Sequence, residues 1–268
     1  ATTIIHYGGF TILTDPNFLH RGERVHLGYG MRSTRLTEPS IGFAQLPEID
    51  FVVLSHLHED HFDRLVARRL DRSLPIVTTS GAAEALRRKG FRATCPLDTW
   101  DAIGIRKGES FVRLTAMPGT HGPMLVSALL PPVMGSMLEF GRAEREPDFR
   151  LYISGDTLVH GGLYEIPRRY PDIHLALLHL GGTRVLGLML TMDAEQGVRA
   201  LRIVAPGLAI PIHFDDYDVF QSPLEDFRRE VERAGLADRV RYLGRGDTFR
   251  FSSFPEGIRE TPLELPAA

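Results

Sequence analysis

Phe51-Val52-Val53-Leu54-Ser55-His56-Leu57-His58-Glu59-Asp60-His61 joins an unbroken apolar run to three imidazoles and the carboxylate of Asp60 within the six residues His56–His61. Four apolar residues are too few for a helix and suit a buried strand. Given 11 His in 268 residues, a shuffled chain holds His-x-His-x-Asp-His on the order of once in a thousand trials, so chance explains it poorly. A lone His is usually packed or solvated; three in one turn point to a metal site.

The spacing has a chemical reading. At the end of a strand, residues two apart point to the same side, so His56 and His58 converge on one cation. Asp60 and His61 begin the next segment and turn toward a neighbouring position. One cation does not easily take all four, and two divalent ions about 3.5 to 4 Å apart can share a hydroxide nucleophile. Neutral imidazole and carboxylate suit zinc and its neighbours, manganese and iron. Two divalent cations, zinc first, are the expected cofactors.

Composition limits the partners. With 43% hydrophobic and 24% charged residues, 268 residues can bury a large core, and one domain over 1–268 is expected. The formal charge of -3 provides no basic surplus for a phosphate backbone, so a small-molecule substrate is expected and nucleic acid is not. Cys95 is the single cysteine, which excludes an internal disulfide and points to the cytoplasm. No apolar run is long enough for a transmembrane helix. The chain starts at Ala1 rather than Met, so residues can precede it and the lack of a leader carries little weight.

Along the chain, Thr2–Tyr7, Gly8-Gly9 and Phe10–Thr14 read as a hairpin ending at Asp15-Pro16. Residues 17–47, rich in Gly, Arg, Ser and Pro, read as a loop beside the site. Helices are expected over 62–70, 81–89, 193–201 and 223–234, where apolar residues recur at helical spacing. Strands are expected over 76–79, 91–94, 104–116 (as a pair), 149–154, 173–179 and 208–212, with 239–243 and 248–251 closing the sheet. The strands end repeatedly at polar residues: His121, Gly155-Asp156-Thr157, His179-Leu180-Gly181-Gly182 and His213.

His56-x-His58-x-Asp60-His61, followed by His121, Gly155-Asp156-Thr157 and Pro211-Ile212-His213, with Thr14-Asp15-Pro16 upstream, resembles the motif set of the metallo-β-lactamase superfamily. The resemblance runs from near residue 2 to about residue 250. It implies an α/β fold, an αββα sandwich of two mixed β-sheets flanked by helices, with metals between the sheet edges. It also implies that His56, His58 and His121 hold one metal, Asp60, His61 and His213 the second, and that Asp156 bridges them. Asp15 would support a ligand imidazole from behind. Asp63 either does the same or caps the following helix.

Thr-Asp-Pro, Ser-Gly-Asp-Thr and the late Ile-His are similar to the branch containing ascorbate-6-phosphate lactonases and N-acyl phosphatidylethanolamine phospholipase D, which keeps manganese beside zinc as a candidate. The chain departs from that phospholipase at Thr191-Met192-Asp193, where the latter has His-Val-Asp, and at Phe214-Asp215-Asp216-Tyr217. Asp residues at 60 and 156 speak against a penicillin-hydrolysing enzyme with a bridging Cys.

The expected activity is hydrolysis of an ester, lactone or phosphodiester bond in a small, apolar molecule by a metal-bridging hydroxide. Asp60 would orient the nucleophile or move its proton. His179, at a strand end, is read as packing or as a catalytic group reaching the pocket. His160 and Asp215–Tyr217 are weaker candidates. Residues 122–140 and 185–192, rich in Met and Leu, are read as core or as an apolar wall or lid. The alternative is a non-catalytic metal-binding or interaction protein that keeps the scaffold.

Overall fold

The computed structural model describes residues 1–27, 31–122, 130–142, 146–185, 187–254 and 257–261. The hairpin β1 (Thr3–Tyr7) and β2 (Phe10–Thr14) turns at two glycines with φ of 56° and 79°, the left-handed region where a side chain is disfavoured. The loop that follows carries a small hairpin, β3 (Arg24–His26) and β4 (Arg32–Thr34). Strands β5 (Phe51–Val53), β6 (Ile76–Thr79) and β7 (Thr94–Leu97) run parallel to β2 in the order β1-β2-β5-β6-β7. Two helices, α1 (Arg64–Arg69) and α2 (Ser80–Arg88), make the crossovers.

The second sheet begins as a meander of β8 (Ala102–Lys107), β9 (Ser110–Pro118), β10 (Met134–Arg142) and β11 (Phe149–Ile153). It continues parallel through β12 (Leu175–His179) and β15 (Leu208–Ile212). A short β13 (Arg184–Val185) and β14 (Leu188–Met189) hairpin projects between them in sequence. Helices α3 (Glu165–Arg169), α4 (Ala194–Val204) and α5 (Leu224–Arg233) complete the chain's crossovers.

Alternation along each strand builds three layers of core. Phe51 and Val53 face inward with Phe140, Phe149 and Leu177, whereas Val52 and Leu54 face outward onto α1 and α2. On the other sheet, Met137, Tyr152 and Leu178 face outward onto α4 and α5. This is the expected αββα sandwich, and with helices on its outer faces the parallel strands lose the apolar-polar alternation of a half-exposed strand.

Some expectations need correction. Arg239–Leu243 and Thr248–Phe251 do not close the sheet: only an isolated bridge, Ala209 to Val240, forms there. Phe251–Phe254 (β16) instead pairs with Gly257–Glu260 (β17) as a separate hairpin, stacking Phe251 on Tyr7 and Phe149. The strand read over 91–94 lies at Thr94–Leu97, because Phe91 packs under α2 instead of pairing. Within residues 122–140, Val133–Phe140 is core, buried throughout as β10; 123–129 lie outside the described residues. Within 185–192, Leu190 and Met192 are buried while Leu188 is exposed; residue 186 is not described.

Candidate metal centre

Asp15, the His56–His61 turn, His121, Asp156, His179 and His213 lie at or just beyond the C-terminal ends of β2, β5, β9, β11, β12 and β15. The fold thus gathers at one edge residues that are up to two hundred positions apart in sequence. Tight backbone makes this possible. Gly155 has φ of 60°, and a Cβ there would lie 2.7 Å from the Met134 carbonyl, so only glycine turns β11 into Asp156. His213 itself has φ of 63°, an uncommon conformation for a side-chain-bearing residue. A Cβ on Gly181 would lie 2.7 Å from the His213 carbonyl.

Three groups of donors converge: His56, His58 and His121; Asp60, His61, Asp156 and His213; and Asp15, His61 and His179. Hydrogen bonds settle which imidazole nitrogen faces inward. Ser55 gives its hydroxyl proton to Asp15 Oδ2 at 2.9 Å, so His56 Nδ1–H, 3.0 Å from Ser55 Oγ, donates to that hydroxyl oxygen and keeps the Nε2 lone pair. His121 Nδ1–H donates to the Asp156 carbonyl at 3.1 Å, and His213 Nδ1–H to the Leu180 carbonyl at 3.1 Å. His61 Nδ1–H meets Asp15 Oδ2 at 3.1 Å.

The inward atoms fit metal ions. His61 Nε2 stands 3.3 Å from Asp156 Oδ2 and 3.6 Å from Asp60 Oδ2, and His213 Nε2 stands 3.5 Å from Asp60 Oδ2. Asp60 Oδ1, His61 Nε2, Asp156 Oδ1 and His213 Nε2 are buried without a hydrogen-bond partner among the described residues. Leaving so many buried polar atoms unsatisfied is expensive unless a cation takes their lone pairs. His56 Nε2 and His58 Nδ1, 3.0 Å apart, are close to the roughly 3.3 Å separating two nitrogens on a tetrahedral zinc with bonds of about 2.05 Å.

Electrostatics follow from the same packing. Burial and positive neighbours push His56 well below the usual imidazole range; burial likewise takes His58 to about 4 and lowers His121. Burial also opposes charge on His61, but Asp156, Asp60 and Asp15 outweigh it and hold this imidazole well above its ordinary value. Burial lowers His179 to about 4 against the pull of Asp15. For Asp15, burial is outweighed by His61 and His179, which keep its carboxyl well below the carboxylate range.

A pH dependence results for metal-free protein. Between pH 6.5 and about 4 the unfolded chain protonates His58 and His179 while the folded chain resists. Each such group removes about 1.4 kcal/mol of stability per pH unit of acidification, so stability falls as pH falls. His61 is protonated in both states there and adds no slope. Urea midpoints of chelator-treated protein at pH 7, 6 and 5 should drop progressively; a flat profile would contradict neutral buried imidazoles.

The other sequence candidates divide. His179 is fully buried, its Nε2 3.3 Å from Asp15 Oδ2 and its ring stacked on His61, so it backs the Asp15–His61 pair with which it forms the third donor group. Asp63 does not reach a ligand imidazole: its carboxylate accepts from Leu65 N (2.6 Å) and Val66 N (2.8 Å) as the cap of α1, and from Phe18 N and Leu19 N. His160 accepts from Gly162 N, away from the cluster. Asp216 pairs with Arg245, Arg35 and the N-terminal amine. Sequence reading missed Ser55, which braces Asp15, and Thr191, fully buried, which donates to Asp156 Oδ2 at 3.1 Å. For Thr191 the signal was its place where the phospholipase has His.

The layered fold and this edge define a metallo-β-lactamase fold with His/Asp metal-binding clusters. The family described as the beta-lactamase superfamily domain matches residues 11–214, and the chain belongs to it. A UPF0173 metal-dependent hydrolase of Methanoculleus marisnigri is 29% identical over 217 residues, covering 80% of this chain and 88% of that protein. Among solved structures, an isothiocyanate hydrolase from Delia radicum gut bacteria superposes with a TM-score of 0.78 at 20% identity, over 94% of this chain and 96% of that one. A possible metal-dependent hydrolase from Veillonella parvula gives 0.76 at 19%, over 92% and 94%. Among the described residues no helix is long and apolar enough to cross a membrane.

Proposed function

We propose that residues 1–268 form one hydrolase domain that binds two divalent cations, zinc before manganese or iron, and cleaves an ester, lactone or phosphodiester bond of a small apolar molecule. The observation that carries this reading is the set of buried, inward-facing donor atoms without partners. The relatives named as metal-dependent hydrolases support it. His56, His58 and His121 would hold one ion and Asp60, His61 and His213 the other, with Asp156 between them. When bound, such ions lower the pKa of water to near 7 and act as Lewis acids.

The chain's own groups orient the reaction. Asp60 is placed to orient the nucleophilic water and take its proton, as its Oδ1 has no partner among the described residues. Asp15 sets the orientation of His61, and His179 holds Asp15 in turn. His179 is therefore assigned a positioning role. Charge balance and the lone Cys95 favour a small-molecule substrate in the cytoplasm over a nucleic acid.

The test compares kcat/KM for bis(p-nitrophenyl) phosphate, an aromatic lactone and an aryl isothiocyanate, using metal-loaded protein with His56→Ala as background. The last probe comes from the name of the isothiocyanate hydrolase. Metal-dependent turnover of the first or second places the enzyme with phosphodiesterases or lactonases. Preference for the third by more than about tenfold, 1.4 kcal/mol in transition-state binding, overturns the ester-bond class. Less than one tightly bound transition metal per chain supports the non-catalytic alternative.

A further inference from the structure

Opposite the metal turn, a buried polar chain runs from Arg35 through Asn17 to Tyr217. Arg35 Nη1 donates to Asn17 Oδ1, which fixes the amide so that Nδ2 points the other way. Nδ2 then donates to the Glu59 carbonyl at 2.9 Å and to Tyr217 Oη at 2.7 Å. The phenol oxygen therefore sits beside the Glu59-Asp60 turn as an acceptor. Its own hydrogen finds no acceptor among the described residues, although Tyr217 is only 2% exposed.

The phenol is rigidly held. Tyr217 bridges to Arg35, and the preceding Asp216 is tied to Leu36 N, Thr37 and Arg245. Tyr217 packs on Phe220, which packs on the ring of His213 at 4.5 Å. Burial, and then the charge of Asp60, keep the phenol well above its ordinary pKa, so it stays protonated at neutral pH.

Elimination points the same way. The imidazoles of the centre are inward-facing donors or, for His179, held against Asp15; Ser55 donates to Asp15, Thr191 to Asp156 and Ser154 to Gly155 O. A Lewis acid polarises the attacked group, but the departing oxygen of an ester or phosphodiester also needs a proton. We propose that the Tyr217 hydroxyl, oriented by Asn17 and Arg35, is the proton donor to the leaving-group oxygen. The assignment rests on the hydrolase reading above.

The step balances as follows. The oxygen of a water bonds to the carbonyl carbon or phosphorus, the bond to the leaving oxygen breaks, and its electron pair stays on that oxygen. Tyr217 O–H supplies the proton there, and the phenolate is reprotonated by the proton that Asp60 took from the attacking water. A basic alkoxide needs this proton, whereas p-nitrophenoxide, less basic than the Tyr217 phenolate, does not.

Tyr217→Phe removes one oxygen and nothing else. The probes are bis(p-nitrophenyl) phosphate against diethyl phosphate if the protein turns over phosphodiesters, or p-nitrophenyl acetate against ethyl acetate if it turns over carboxylic esters. We expect kcat on the poorer leaving group to fall about 10²-fold, the lower end for general acid catalysis, and on the p-nitrophenyl probe by less than about fivefold. KM, metal content and the absorption spectrum of the cobalt-substituted protein should be unchanged.

Equal losses on both probes overturn the proposal in favour of a structural role, as does a changed cobalt spectrum or metal content. Retained kcat on the poorer leaving group overturns it while leaving the hydrolase reading intact. Failure of the wild-type protein on every probe and on the aromatic lactone takes down that reading and the proposal with it.

Discussion

Asp156→Ala should abolish metal-dependent turnover, with kcat/KM falling at least about 10³-fold, some 4 kcal/mol of transition-state stabilisation. Asp156 stands where the two donor groups meet: Oδ2 is 3.3 Å from His61 Nε2 and 3.1 Å from Thr191 Oγ1, Oδ1 is 3.5 Å from His213 Nδ1, and its carbonyl receives His121 Nδ1. Alanine removes the carboxylate yet keeps the carbonyl, so His121 should stay oriented. The variant should hold less metal than wild type by elemental analysis, with His56→Ala as the counterpart in the other group. Full activity with two metals retained would contradict the dinuclear mechanism.

The second large effect is expected at Asp15. Its carboxylate accepts from Ser55 N (2.8 Å) and Ser55 Oγ (2.9 Å) and lies 3.1 Å from His61 Nδ1 and 3.3 Å from His179 Nε2, all within the interior. Asp15→Asn keeps the shape and tolerates the φ of 38° at this position, but sets amide hydrogens against groups that are themselves donors. Losing one partner of a buried charged pair costs about 3–5 kcal/mol. Replacing a group that supports a metal-ligating His lowers metal affinity about 10–100-fold. Urea unfolding of the metal-free variant and competition with a chelator measure the two effects separately. Asp172→Asn, whose carboxylate is 71% exposed in its pair with Arg150, should change stability by under about 1 kcal/mol. Similar small changes at both positions would show that Asp15 does not brace the site.

Much of this edge was legible in the chain because its chemistry is local. His56, His58, Asp60 and His61 lie in one turn after a strand, and two-residue alternation is enough to separate the first pair from the second. Asp156 and His213 were legible as polar residues ending apolar strands. The hairpin at Gly8-Gly9, β6 over Ile76–Thr79 and β15 over Leu208–Ile212 also stand as read. β10 was harder: Met134–Phe140 is buried on both faces, so it shows no alternation to separate strand from lid. The error at Arg239–Leu243 is its converse, a short charged-apolar alternation that finds one bridging residue instead of a partner strand.

The roles of the hydroxyl and amide residues were not legible. Ser55, Thr191, Asn17 and Tyr217 belong to common residue types whose significance lies in what they touch, and Asn17 meets Tyr217 across 200 residues of chain. Asp63 shows the opposite trap: its place beside the ligand turn suggested a supporting carboxylate, yet the nearby backbone N–H groups of Phe18, Leu19, Leu65 and Val66 claim both its oxygens.

By itself, then, the sequence determined the layered fold and pointed to the His/Asp clusters at its edge, because imidazole and carboxylate chemistry and strand periodicity are written in residue identity and short spacing. Only the tertiary structure decided which nitrogen of each imidazole faces the centre, and which histidine backs the Asp15–His61 pair. A ring nitrogen is a ligand only when its other nitrogen donates elsewhere, and the acceptors here, Asp15, the Asp156 carbonyl and the Leu180 carbonyl, follow strands that come beside those imidazoles only when each sheet assembles.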